Sequence, residues 1–435
     1  MADAILRGRL LSFRAEPAGT GDRASYDYLE DGVLVVEAGR IAAIGPAAEL
    51  LATLPADAQI EHYPDQLILP GFIDLHIHLP QTQVIASYGA QLLEWLEKYT
   101  FVEEQKYADP AHAEAGARFF LDELLRNGTT TAMVYGSVHA QSIEAFFTES
   151  ERLGTGMIAG KVMMDRNAPA ALLDTAQSGY DDSKALIARW HNCGRQRYAV
   201  TPRFAITSSA AQLEAAGALL REFPGTYLQT HLAENRAEIA STRALYPDAA
   251  SYTDIYRRHG LLGPRSLFGH CLHLDEAELD LLSGSGSVAV FCPTSNLFIG
   301  SGLFDRARLA DRRQPVRLGL GTDVGGGTSY SMLATAAEAY KVLQLQGQNF
   351  CALTGFHQVT RGNALALGLG GEIGTLAAGC WADLVVLDAA ATPAMAHRMA
   401  TAAGRLEDEL FVLMMLGDDR AIRATYVQGR CAARK

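Results

Sequence analysis

Between about residue 67 and residue 326, short apolar runs alternate with longer amphipathic ones. The short runs are LILPGFIDLHIH (67–78), TTTAMVYGS (129–137), GMIAGKVMMD (156–165), YAVTPRFAI (198–206), TYLQTHLAE (226–234), SLFGHCL (266–272), SVAVFCPTSN (287–296) and VRLGLGTDVGG (316–326). Their length and their β-branched and aromatic content predict eight strands. The longer runs, among them PAHAEAGARFFLDELLRNG, SKALIARWHNC and SAAQLEAAGALLREF, repeat apolar residues at helical spacing, and several begin on Asp, Ser or Pro and stop at Gly as helix caps prefer. Near-continuously apolar strands that each lead into a helix predict a parallel sheet covered on both faces, and eight of them predict an α/β fold of the (β/α)8 TIM-barrel type. The alternative, a doubly wound open sheet, would carry a Gly-rich phosphate loop after its first strand, whereas GTDVGGG here closes the last one.

The flanks follow a different pattern. Residues 1–66 (ILRGRLLSF, DGVLVVEAGRIAAIG) and 374–435 (GTLAAGCWADLVVLD, IRATYVQGR) read as short alternating strands with Gly turns. Two such pieces bracketing a barrel predict one small composite β-sandwich domain formed by both termini. The expected division is 1–68 and 374–435 for that domain and 69–373 for a metal-dependent catalytic barrel.

Composition narrows the function classes. With 49% hydrophobic and 20% charged residues the chain reads as globular, and no run approaches the roughly 18 apolar residues of a membrane span. The longest, LFVLMMLG at 410–417, predicts a helix face or a buried strand. The start MADAILRGRLLSFRAEP has no basic leader followed by a long apolar stretch, so the expected location is cytoplasmic. Six scattered cysteines without a C-x-x-C exclude a disulfide framework and a thiolate zinc site. A net charge of −12 with only short basic clusters argues against a nucleic-acid partner and for a small neutral or weakly polar ligand.

Barrel enzymes place their chemistry at the C-terminal ends of the strands. Here the first strand, in GFIDLHIHLPQTQ, ends on His76 and His78, the fourth on Arg203, the fifth on His231 with Glu234, the sixth on His270 and the eighth on Asp323. Strict alternation would put Asp74, His76 and His78 on one face and Ile73, Leu75 and Ile77 on the other. Three imidazoles and a carboxylate make a nitrogen and oxygen set suited to Zn²⁺, with iron or manganese compatible on donor type. A catalytic zinc keeps one position for water and lowers its pKa to about 7, so hydrolysis is the expected chemistry. Each residue also has a plainer reading: the histidines as hydrogen-bonded core residues, Glu234 as a cap for the helix at ENRAEI, Arg203 as the partner of a core carboxylate, Gln81 as surface.

PGFIDLHIH, THLAEN, GHC and GTDVGG, in this order and on these strands, together with a terminal GxLAxGxxADLVVLD, resemble the amidohydrolase superfamily over nearly the whole chain. Its two-metal members carry a lysine at the end of strand four; here that position is Arg203, which stays protonated, and Lys161 lies near the middle of strand three. The resemblance therefore implies one zinc per subunit, with Fe²⁺ as the other candidate, held by His76, His78, His231 and Asp323. HLPQTQ, LLEWLEKYTFVEEQKY (92–107), NGTTTA, GKVMMDRNAP, VTPRFAITS and THLAENRAE further resemble the guanine deaminase family within it. That likeness implies hydrolysis of a purine, guanine, to xanthine and ammonia. It implies Glu234 as the proton shuttle, Asp323 as acceptor of the water proton and His270 as the group holding the attacking oxygen. Gln81, Arg203 and Phe204 would contact the purine beside His231, Glu234 and Asp323.

Two other readings stand beside this one: an aminohydrolase for another purine, a pyrimidine or a triazine, and a catalytically silent scaffold of the same fold, against which the intact ligand set speaks. Relatives of this kind commonly form homodimers, and LFVLMMLG is a candidate contact. Residues 92–107 are either a packing face or a lid. His139 and His273, also near strand ends, are left unassigned.

Overall fold

In the computed structural model, which describes residues 3–89, 91–402 and 404–434, the alternating N-terminal runs pair as β1 (Ala4–Phe13), β2 (Tyr26–Glu37), β3 (Arg40–Pro46) and β4 (Glu61–Pro70). The apolar runs that follow form β5 (Phe72–His78), β6 (Thr129–Tyr135), β7 (Ile158–Gly160), β8 (Val162–Met163), β9 (Arg197–Pro202), β10 (Tyr227–Leu232), β11 (Ser266–His270), β12 (Val288–Phe291) and β13 (Arg317–Leu320). The C-terminal runs form β14 (Leu384–Leu387), β15 (Ile422–Val427) and β16 (Arg430–Arg434).

The terminal strands make one mixed seven-stranded sheet in the order β16-β15-β14-β4-β1-β2-β3. Alternation decides its faces: Leu6, Leu10, Leu34, Val36, Ile68 and Val386 cluster on one side, and Ile5, Val33 and Val35 pack with Ala47 on the other. The run 67–78, expected as one strand, is two. Pro70 ends β4 in the small sheet and Phe72 begins β5 in the barrel. Gly71 makes the junction because a Cβ there would sit 2.2 Å from Thr130 Oγ1.

The barrel strands run parallel from β5 to β13, with β8 continuing the third strand position past Lys161 to pair with β9. Two backbone bonds join the first and last positions, Asp323 N–H to the His76 carbonyl at 2.8 Å and His78 N–H to the Val324 carbonyl at 3.0 Å. These bonds rule out the open sheet. Ile73, Leu75, Met133, Ile158, Tyr227, Leu267 and Val290 fill the lower interior against Leu367, Leu369 and Ile373, and the Tyr227 hydroxyl donates to the Leu367 carbonyl at 2.8 Å. Space for a ligand is left at the C-terminal strand ends, as in other barrels.

The segment LFVLMMLG lies in a helix, Leu406–Leu416, whose Leu410, Leu413 and Met414 are buried within the chain beside the helix Met332–Leu345. Phe411 and Leu416 on the same helix remain exposed. A buried Arg195–Asp383 pair and Arg9 Nη1 donating to Glu409 Oε1 at 2.8 Å tie the small sheet to its surroundings. Among the described residues no helix is long and apolar enough to cross a membrane.

Candidate metal centre and active site

The histidine-bearing strand departs from strict alternation. The pairing of β5 with β6 slips between Asp74 and Ile77, so Ile73 and Leu75 both sit in the barrel interior while Ile77 packs in the separate main core. Such a bulge re-aims side chains, and here it brings His76 and His78 above the apolar filling. Asp74 leaves the histidine face: it accepts from His76 N and Thr322 N at 3.1 Å each and from the Thr322 hydroxyl, which pins the end of the eighth strand to the first. Gly269 makes room for the His76 ring, since a Cβ there would lie 2.4 Å from His76 Cε1.

Four donor atoms converge. His78 Nε2 lies 3.2 Å and His76 Nε2 3.4 Å from Asp323 Oδ1, and His78 Nε2 lies 3.3 Å from His231 Nε2. Tetrahedral ligands about 2.0–2.1 Å from a zinc ion stand about 3.3 Å from each other, so each of these three separations fits a pair of neighbouring ligands, and His76, His78 and His231 form one three-donor grouping. The donors also need a cation for their own chemistry. His231 Nδ1 faces the Arg203 carbonyl at 2.8 Å and must carry the ring proton, leaving Nε2 a bare lone pair. Buried His76 Nε2 has no hydrogen-bond partner. Burial pushes His78 down to about 3 against the pull of Asp323, and burial with His76 and His78 nearby holds His231 well below its ordinary range. Neutral imidazole is the form that binds metal. Burial would raise the Asp323 carboxyl, but His76 and His78 overcome it and hold the group well below the usual carboxylate range. Cys292 is buried and lies within reach of a second grouping with His76, His270 and Asp323.

Glu234 and His270 stand beside this cluster. His270 Nε2 is 3.3 Å from Glu234 Oε2 and 3.7 Å from Asp323 Oδ2, and its Nδ1 faces Asn296 Oδ1 at 2.8 Å. The Ser301 hydroxyl donates to Glu234 Oε1 at 2.8 Å. Burial first, and the Asp323 charge second, push the Glu234 carboxyl up to about 8 despite the Ser301 bond. The helix that follows, Arg236–Leu245, is capped by Asn235 and Glu238 instead. Capping is therefore not what Glu234 does. His270 and Asp323 take φ values of 71° and 52°, left-handed backbone that non-glycine residues rarely adopt and that concentrates at functional sites.

The opposite wall of the same cavity carries Gln81, Arg203 and Phe204, with Leu92, Trp95 and Leu96 from the helical segment after β5 closing one side. Every residue expected at the site is thus brought together, His76 from beneath and the rest on the wall. Arg203 is 2% exposed and Glu104 fully buried, with Nη1 donating to Oε1 at 2.8 Å and to Oε2 at 2.6 Å. Removing either partner would strand a buried charge at about 3–5 kcal/mol.

Residues 67–432 match the amidohydrolase family. The chain belongs to the amidohydrolase family. It is 49% identical over 403 residues to guanine deaminase of Escherichia coli K12, covering 93% of this chain and 91% of that one, and 40% identical over 436 residues to a probable guanine deaminase of Deinococcus radiodurans, covering 98% and 97%. The solved structure of the E. coli guanine deaminase superposes with a TM-score of 0.96 at 46% identity, covering 99% of this chain and all of that one.

As an amidohydrolase the chain is a hydrolase of a metal-dependent family, and the site holds more than the strand ends announced. Glu104, Asn296 and Ser301 each grip a residue of the site, yet nothing in their local sequence distinguishes them. The 99-residue separation of Glu104 from Arg203 and the 67-residue separation of Ser301 from Glu234 hide both pairs from any motif. Lys161 is fully buried, as its strand-three position suggested, and donates to Asp174 Oδ2 at 2.8 Å away from the donor cluster. His139 occupies the position before the helix Ala140–Leu153 without a side-chain capping bond and does not line the cavity. His273 lies behind Glu234, its Nε2 2.9 Å from the Ser301 carbonyl.

Proposed function

We propose that the protein hydrolyses guanine to xanthine and ammonia with one zinc ion held by His76, His78, His231 and Asp323. The observation that carries this reading is the opposition, across one cavity, of proton-handling groups (Glu234, His270, Asp323) to a recognition wall of amide, guanidinium and aromatic ring (Gln81, Arg203, Phe204). The names of the relatives support it, and so does the lining, which sets a few polar groups among Leu92, Trp95, Leu96, Phe204 and Ile299. On this reading the barrel is the catalytic unit and the terminal segments form the accessory sheet, with the first boundary, expected at 68/69, shifted to Gly71 because Leu69 and Pro70 pair with β14 in that sheet.

A zinc ion bound there would supply Lewis acidity and bring the pKa of a water near 7. The chain handles the protons. Glu234, protonated at neutral pH, gives its proton to ring nitrogen N3 as the water oxygen bonds to C2. Asp323, ionised, takes the proton that the attacking water releases, and His270 Nε2 lies between the two carboxyls to hold the oxygen in line. Glu234, left ionised, takes the hydroxyl proton of the C2 adduct and passes it to the amino nitrogen as the C2=O bond forms, the C2–N bond breaks and ammonia departs, and the proton held on Asp323 returns to Glu234 for the next turnover. One water is consumed, and the balance is guanine plus water to xanthine plus ammonia.

Recognition follows from donor geometry. Arg203 presents N–H donors to the purine carbonyl, and Phe204, whose ring centre is 6.3 Å from that of His231, offers a flat surface. Adenine carries an amino group where guanine has that carbonyl, so two donors would meet. A panel of guanine, adenine, cytosine and a triazine, read by ammonia release with metal content measured in parallel, tests the assignment. Guanine is expected to exceed each of the others by about 10⁴–10⁵-fold in kcat/KM, the range for a site whose buried polar groups the wrong ligand leaves unpaired. A triazine or adenine turned over as well as guanine would overturn it.

The raised Glu234 carboxyl sets a pH dependence. Its working form is the protonated one, so kcat/KM for guanine is expected to hold through neutral pH and to fall as pH rises past about 8, where the proton is lost. The depressed Asp323 group places no matching loss on the acid side until well below the ordinary carboxylate range. A rate profile across neutral and alkaline buffers checks both limbs, and a rate that climbs steadily through the alkaline range would contradict the role given to Glu234.

A further inference from the structure

Glu104 lies on the short helix Phe101–Glu104 in the segment after β5, fully buried, and its carboxylate makes three side-chain contacts. Arg203 Nη1 donates to both oxygens, and Gln81 Nε2 donates to Oε1 at 3.1 Å. The other end of the Gln81 amide is held too, because the Gly325 N–H donates to Gln81 Oε1 at 3.3 Å. The Glu104 backbone is itself anchored, with the Ser137 hydroxyl donating to its carbonyl at 2.9 Å.

These contacts determine what the cavity sees. An ionised carboxylate only accepts, so the atom of Gln81 turned toward Glu104 must be nitrogen, and a backbone N–H only donates, so the atom turned toward Gly325 must be oxygen. The Gln81 amide therefore cannot flip, and it has one N–H and one oxygen lone pair left to offer. On Arg203 the carboxylate occupies Nη1, while Nη2 has no partner among the described residues and the side chain lines the cavity. The Phe101 ring, centred 5.5 Å from Arg203 Cζ, covers the guanidinium from the same segment. One buried charge thus orients both groups of the recognition wall.

We propose that Glu104 is a positioning residue for purine specificity: it locks Arg203 and Gln81 into a single rigid donor–acceptor edge while making no contact with the purine itself. The proposal rests on the guanine reading and deepens it. It also gives the segment 92–107 a role beyond covering the pocket, because Glu104 of that segment sets the orientation of groups that directly follow strands one and four.

The test is E104Q in the full-length, metal-loaded enzyme. The substituted amide carries a donor as well as an acceptor, so Gln81 becomes free to turn over and Arg203 loses its charged partner. Loss of charge-assisted bonds of this kind is expected to raise KM for guanine by about 10–100-fold, with kcat within about fivefold of wild type. The ratio of the adenine inhibition constant to the guanine KM should shrink about tenfold or more, and metal content should not change. A purely structural role would lower thermal stability and the active fraction, which moves apparent kcat and leaves KM and that ratio where they were; this result overturns the proposal. E104D guards against misfolding, since it keeps the charge and shortens the reach by one methylene: it should retain the fold and still raise guanine KM, and an unchanged KM in E104D also overturns the proposal. In a double-mutant cycle, Q81A and E104Q should combine less than additively, because they disable one edge, and full additivity counts against it. Wild-type enzyme inert toward guanine would instead defeat the underlying functional reading, an outcome separate from any of these.

Discussion

E234Q is expected to lower kcat for guanine by about 10³–10⁴-fold while leaving bound metal and guanine KM close to wild type. The amide has the shape of the carboxyl and can still accept the Ser301 hydroxyl bond that holds Oε1 at 2.8 Å. It cannot give up or take a proton near neutral pH. Positioned general acid–base groups contribute about 10²–10⁴-fold, and in the proposed mechanism Glu234 is used twice in each turnover, once toward the ring nitrogen and once toward the leaving amine. At about 1.4 kcal/mol per factor of ten, the loss corresponds to about 4–5.5 kcal/mol of transition-state stabilisation. Steady-state ammonia release with metal quantified on the same sample measures it. A loss under tenfold would mean that another group carries the proton, and His270, 3.3 Å from Glu234 Oε2, would be the first to examine.

The second large effect concerns the donor cluster. H231A is expected to retain less than about a tenth of the wild-type metal and to show no measurable turnover, and added Zn²⁺ should not restore it. Loss of a hydrogen bond behind a metal ligand already costs about 10–100-fold in metal affinity, and loss of the ligand removes one of four convergent donors altogether. Wild-type enzyme stripped by a chelator should behave differently, regaining full activity with one equivalent of Zn²⁺, because its rings are pre-oriented: His231 by the Arg203 carbonyl and His76 by the space above Gly269. Elemental analysis alongside the rate assay distinguishes the two cases. Wild-type metal content in H231A would remove His231 from the ligand set.

Much of the site was legible in the chain because barrel topology turns sequence position into spatial position. Once eight apolar runs are recognised as parallel strands, the polar residue that ends each run must face the same mouth. His76, His78, His231, His270 and Asp323 could therefore be grouped although they span almost 250 positions of sequence. The plainer reading of Arg203 as the partner of a core carboxylate was also correct in part, since it pairs with Glu104 and lines the cavity at once. Alternation misled where the backbone was irregular. It grouped Asp74 with the histidines and Leu75 away from them, and a slipped register did the opposite. It also fused β4 and β5 into one strand, because a glycine at a close backbone crossing interrupts pairing without interrupting hydrophobicity.

What the sequence determined by itself was the order of elements and the identity of the groups offered at each strand end, since periodicity and side-chain chemistry are properties of a residue and its near neighbours. The tertiary structure alone decided which groups hold those side chains still. Glu104 beneath Arg203 and Gln81, Ser301 behind Glu234 and Asn296 behind His270 are ordinary polar residues in loops and short helices, and their effect arises from contact at 3 Å or so between segments far apart in the chain. A hydrogen bond is a relation between two positions in space, and a linear pattern records only one of its partners at a time.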